Sequence, residues 1–79
     1  MPYITAQRRI ELADGQEPDT AGELNYLLTV MIRDYFRTHA NYQGINDIVG
    51  ALEGAKLEFT RRITNSYEDG KIKTNGDVY

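Results

Sequence analysis

Cysteine and tryptophan are absent from this chain, histidine occurs once and proline twice. Without cysteine there is no disulfide and no thiolate to bind a metal. One imidazole, that of His39, does not make a zinc site of the usual nitrogen-rich kind, so neither metal nor other cofactor is expected. Basic charge is also in short supply. The formal charge is −3, whereas a general nucleic-acid binder presents a basic surface. No apolar run reaches the roughly 18 residues a membrane span needs, so no membrane partner is expected. The opening stretch MPYITAQRRIELADG has no apolar signal-peptide core. Together with the missing cysteine, this leads us to expect a cytoplasmic protein. There is no internal repeat and no low-complexity segment.

What is present fits a single helical domain over residues 1–79. Hydrophobic residues make up 41% and charged residues 27%, a composition that supports a folded rather than a disordered chain. A chain of this length seldom buries enough core without a disulfide, a metal or a partner chain. With the first two unavailable, a second copy of the chain is the expected partner.

Residues 1–18 read as an N-terminal arm. Within it, ITAQRRIELADG forms either a short helix capped by Thr5 and ending near Ala13, or an extended arm. GQEPD is a linker, with glycine and proline as breakers. A first helix over 20–39 begins with a capping box. The Thr20 hydroxyl accepts from a free backbone N–H, and the Glu23 carboxylate reaches back to the cap. Leu24, Leu27, Leu28, Met31 and Tyr35 share one face at helical spacing, widened by Ile32 and Phe36. Tyr26 and Val30 lie nearly opposite, so this helix needs more than one neighbour.

HANYQGIND connects to a second helix and its tail, 41–75, for which Asn41 is the candidate N-cap. Ile45, Ile48, Val49, Leu52, Phe59 and Ile63 form its apolar stripe. At about 100° per residue, Gly50, Gly54, Leu57, Arg61 and Ile72 fall on the far side. A helix-interior glycine costs about 1 kcal/mol relative to alanine, so two on one face call for a reason. With Ala51 beside them, they would let another helix backbone approach closely, by analogy with small-residue packing in membranes; alternatively they admit a ligand to the backbone, or are simply tolerated on an exposed face. The tail either continues as helix to about Thr74, with Gly76 as a left-handed cap, or turns into a hairpin around Asn75-Gly76. Continuation is preferred because Tyr67 still falls on the stripe. The helix would then run roughly 45 Å, beyond the end of the first. The expected architecture is all-α: a helical hairpin of two long antiparallel helices with a short N-terminal arm or helix. It assembles as a homo-oligomeric bundle through Gly50, Ala51, Gly54, Leu57, Ile72, Tyr26 and Val30.

Catalytic signals are poor. Glu53 and Glu58 lie too far apart around the helix to act as a pair, and Ser66 has no nearby histidine. His39 ends a helix, where the macrodipole favours it. Enzymatic activity is therefore not expected. Anion binding has more support, because Arg61 and Arg62 are adjacent and Arg33 lies one turn from Arg37. Arginine grips phosphate with a planar fork, and tyrosine stacks on bases. A ligand pocket of Arg61, Arg62, Tyr67, Lys71, Lys73 and Asn75, with Tyr26 and Arg33, would suit a nucleotide-like partner. Against this, arginines at such spacing commonly form surface ion pairs and tyrosines commonly serve interfaces.

The segments GELNYL, INDIVGALEGAKLEFTRRI and YEDGKIKTNGDVY, spanning about residues 18–79, resemble a family of short uncharacterised proteins of phages, bacteria and some archaea. The family pattern reads GELNYL, then INDVxGALEGAKLEFYRR, then YEDxKIxxNGDVY. This chain departs from it by Thr60 in place of an aromatic residue and by Gly70 within the tail. The family carries no established activity. In architecture alone the chain is similar to phage sponge proteins, which oligomerise and sequester cyclic-nucleotide or ADP-ribose-derived immune signals. That likeness implies a non-enzymatic binder that counters host defence in the cytoplasm of an infected bacterial cell. The alternative is a protein–protein interaction module that engages a host or phage protein through apolar helix faces, with no small ligand.

Overall fold

In a computed structural model that describes residues 1–79, the chain is all-helical and contains no strand. Helix α1 spans Ala6–Ala13, α2 Ala21–Thr38 and α3 Tyr42–Phe59; a π-helical turn at Thr60–Thr64 then leads into α4, Asn65–Asn75. The residues group into two units, Met1–Ile45 and Asn46–Tyr79.

In the first unit the N-terminal segment resolves as helix rather than extended arm. Thr5 caps it by accepting from the Arg8 amide at 3.2 Å. Its far end closes with paired bonds from Gly15 N to Leu12 O and from Gln16 N to Glu11 O, while Gly15 takes φ +100°. This is a Schellman closure, which requires the left-handed backbone that glycine supplies. Leu12, 4% exposed, is the chain's only buried hydrophobic side chain. The Thr20 hydroxyl accepts from the Glu23 amide as expected, at 3.1 Å. The Glu23 carboxylate, however, reaches one residue farther back than a capping box requires and accepts from Asp19 N at 3.0 Å.

That same carboxylate is held by Arg8, whose side chain is 16% exposed against 13% for Glu23. Arg8 Nε and Nη2 lie 2.8 and 2.7 Å from Glu23 Oε1. Nη1 donates to Gln16 at 2.8 Å and Nη2 to the Glu17 carbonyl at 2.8 Å. Asp19 and Glu11 complete the ring of acceptors at 3.2 and 3.4 Å. One guanidinium thus ties α1, the linker and the start of α2 together.

The covering of α2 departs in part from its apolar spacing. Leu27 and Ile32 of the expected stripe are half-buried together with Tyr26 and Val30, while Leu24, Leu28 and Met31 are exposed. Tyr26 and Val30 therefore serve this unit's own packing, with the Arg9 guanidinium 5.7 Å from the Tyr26 ring centre. The Arg8–Glu23 contact ties the first turn of α2 to α1 on this side. At the other end, His39 stacks on Tyr35 at 4.0 Å between ring centres, and its backbone N–H bonds Phe36 O. Asn41 caps α3 as expected, accepting from Gly44 N at 2.7 Å. Gly44 is buried, and a Cβ there would lie 1.8 Å from the His39 carbonyl oxygen.

In the second unit the helix continues through Gly70 to Asn75, and Gly76 ends it with φ +88°, donating to Ile72 O at 2.8 Å. This excludes the hairpin around Asn75-Gly76. The break comes earlier instead, where Asn65 N bonds Thr60 O across five residues. A π turn adds one residue to the repeat and so rotates the downstream helix by about 100°. Ile72 and Tyr67 therefore leave the faces that an uninterrupted helix would give them. Of the stripe expected inside a hairpin, Ile45, Val49, Leu52, Phe59 and Ile63 are exposed and only Ile48 is half-buried.

Two measurements test this packing. Gly44→Ala forces backbone apart and lowers stability by about 1–3 kcal/mol, whereas Gly50→Ala, with nothing within 4 Å of its new Cβ, raises it by up to about 1 kcal/mol in thermal melts. The Arg8 bonds and the Asp19 amide hold the Glu23 carboxyl below its usual range. A lowered carboxyl stabilises the fold above its unfolded value and loses that contribution on acidification. Wild type will therefore lose melting temperature below about pH 5, and Glu23→Gln will show a lower neutral value and a flatter acid limb.

Candidate functional site

The charged segment that follows α3 begins at the π turn, a feature that recurs at functional sites. Arg61 and Arg62 both lie in it and are exposed. Neither is free: Arg61 Nη2 sits 2.8 Å from Glu58 Oε1, and Arg62 Nε donates to the same oxygen. These bonds, that of Arg62 foremost, hold the Glu58 carboxyl below its ordinary range. The helix itself brings the three together, since residues three and four apart share a face.

Beyond the turn, the Lys71 ammonium stands over the Tyr67 ring at 5.6 Å from its centre. Lys73 lies in the last turn of α4, where a cation suits the helix dipole, and Asn75 closes the helix. Lys71 and Asn75 also line an open hollow between α4 and the C-terminal residues, with Ile72 and Tyr79. The expected ligand residues thus form two local groups within this unit: Arg61 and Arg62 on Glu58, and Tyr67, Lys71 and Asn75 along α4.

Two further candidates, Tyr26 and Arg33, belong to the first unit. Tyr26 is engaged by Arg9, and Arg33 pairs with Asp34 at 3.4 Å, a carboxylate that Arg37 also approaches. Of the expected interface residues, Gly50 and Gly54 face open space, and Ala51, Leu57 and Ile72 are exposed. No group of three or more histidine and carboxylate side chains converges as a metal site would require. No helix is long and apolar enough to cross a membrane.

Sequence reasoning missed Arg8 and the π turn. The ring of Glu11, Glu17, Asp19 and Glu23 around Arg8 was visible in the sequence, but only folding brings it together. Nothing in TRRIT distinguishes a π turn from ordinary helix.

A family model described as Domain of unknown function (DUF6899) matches residues 1–78. The chain belongs to that family. No curated protein and no solved structure matches it. The family match takes in α1, Arg8 and the linker as well as the later helices, whereas the sequence pattern began only near residue 18.

If Glu58 competes with an anion for the arginines, removing its charge frees them. Glu58→Gln is expected to tighten pyrophosphate binding by up to about fivefold in calorimetric titration, the scale of a surface ion pair. Unchanged affinity would mean that Arg61 and Arg62 do not form the anion site.

Proposed function

We propose that the chain works as a non-enzymatic, self-associating helical binding module. The observation that carries this reading is the surface left open on one copy. It exposes 6618 Å², against about 4,900 Å² for a monomer of this mass folded on its own. The excess of roughly 1,700 Å² lies within the per-partner range of obligate homodimers, about 1,000–2,500 Å². Leu12 alone forms the buried hydrophobic core, too little to hold helices of this length in water. Assembly into a homo-oligomeric helical bundle supplies the missing contacts.

In the assembled form, Arg61 and Arg62 grip the phosphate of a nucleotide signal, with Tyr67 stacking on its base and Lys71, Lys73 and Asn75 nearby. Support for the ligand class comes from the arginine pair at an exposed π turn, with Tyr67 and Lys71 following in α4. The ligand is a cyclic nucleotide or an ADP-ribose derivative, held without cleavage inside an infected bacterial cell and so kept from the host's defence. A second reading has one observation in its favour: Glu58 already occupies both arginines. The module then engages a host or phage protein through its apolar faces and takes no small ligand.

Light scattering across a dilution series is expected to give a multiple of 9.0 kDa; a stable monomer would end the assembly reading. A thermal-shift panel of cyclic nucleotides and ADP-ribose derivatives should raise the melting point with concentration by mass action, and Arg61→Ala should abolish the rise. Absence of any shift would leave the protein-binding module.

A further inference from the structure

The exposed residues of α2 and α3 are spaced more narrowly than a helix laid on a broad core requires. On α3, Ile45, Val49, Leu52, Lys56 and Phe59 follow one another at intervals of four, three, four and three residues. On α2, Leu24, Leu28, Met31 and Tyr35 follow at four, three and four. This is a repeat of 3.5 residues, the period that winds helices around one another, rather than the 3.6 of a free helix. The four apolar members on α3 are each 42–61% exposed, and the Lys56 side chain is 72% exposed. The regular repeat stops at the π turn, where Ile63 would have been the next member.

In heptad terms, Val49 and Lys56 occupy one core position and Ile45, Leu52 and Phe59 the other. A β-branched residue at the first with leucine at the second favours two strands. A single lysine at the first position weakens a coiled coil while fixing its register and subunit number. Lys56 suits that role, because a lysine stem can lie along an apolar seam while its ammonium stays in water. Gly50 and Gly54 lie outside the seam, and added Cβ atoms there meet nothing within 4 Å.

We propose that a second copy of this chain covers the α2 and α3 seams by knobs-into-holes packing, with Lys56 setting the register, and that the glycine-bearing face stays outside the interface. The proposal rests on the self-association reading above and names the faces that carry it. The area fits, since the surface excess of one copy is that of an obligate dimer's partner. The seam on α3 is otherwise uncharged, with Lys56 as its only ionised residue, whose cost is what makes register and subunit number selective.

The full-length chain is compared with three variants by light scattering and sedimentation over a dilution series. Wild type is expected to be a dimer. Leu52→Asp should weaken association by about 100-fold or more, because it buries an unpaired carboxylate. The double variant Gly50→Ala, Gly54→Ala should associate within about threefold of wild type. Lys56→Leu should tighten association or change the subunit number, a readout that holds even if Leu52→Asp fails to fold. A wild type that stays monomeric overturns this proposal together with the association reading. An oligomer that survives Leu52→Asp, or that ignores Lys56→Leu, or that dissociates on the glycine double variant, overturns the seam alone.

Discussion

The Arg8 guanidinium carries a large share of the order in the first unit. It reaches the Glu23 carboxylate, the Gln16 amide oxygen, the Glu17 carbonyl and the carboxylates of Asp19 and Glu11. The linker between α1 and α2 has almost no apolar side chain with which to hold itself in place. Arginine suits the task because five N–H donors in a rigid plane satisfy several acceptors without each needing its own ordered side chain. The bonds also polarise one another, so the cluster is worth more than its separate pairs. The Glu23 oxygen that receives Arg8 also accepts the Asp19 amide, so the ion pair and the start of α2 share one atom. Mutual support of this kind also explains why the Arg8 guanidinium is held even more firmly protonated than usual, chiefly by Glu23.

The second unit has no such centre. Its order comes from the helical ladder, from local pairs such as Glu58 with Arg61 and Arg62, and from hydroxyl bonds back to the preceding turn by Ser66 and Thr74. Contributions of that size support an isolated helix only marginally, since most helical stability in proteins comes from burying a face. The apolar residues that would supply burial are present but uncovered. The unevenness between the units is itself informative. One unit has a polar centre that joins its first two helices, whereas the other has none; both carry apolar side chains outward.

Features set by neighbouring residues were legible in the sequence. Thr5, Thr20 and Asn41 cap helices, and Gly76 terminates one, because a side-chain oxygen or a missing Cβ acts within three or four residues of its own position. Glu23 was seen as a capping carboxylate, but its second partner lies fifteen residues away and no spacing rule points to it. The face of α2 was misjudged in part. Apolar count favours the side of Leu24, Leu28 and Met31, yet these are exposed, and Tyr26 and Val30 are half-buried alongside Leu27 and Ile32. The charged segment was identified as a set of residues without its internal pairing. Phase along the last helix was lost at the π turn, because a uniform angular step assumes the very regularity that Thr60–Thr64 breaks.

That break gives the chain an unusual mechanical property. Deleting a single residue between Thr60 and Thr64 would let the segment relax into plain α-helix, and because the turn already takes up one residue more than an α-helical turn, everything beyond it would keep its facing relative to α3. The side chains of Tyr67, Lys71 and Asn75 would thus hold their aim through the loss of one codon there, whereas the same loss within α3 would turn them by about 100°. The turn is a length buffer, which lets the helix shed a residue at this point without disturbing the direction of its tail.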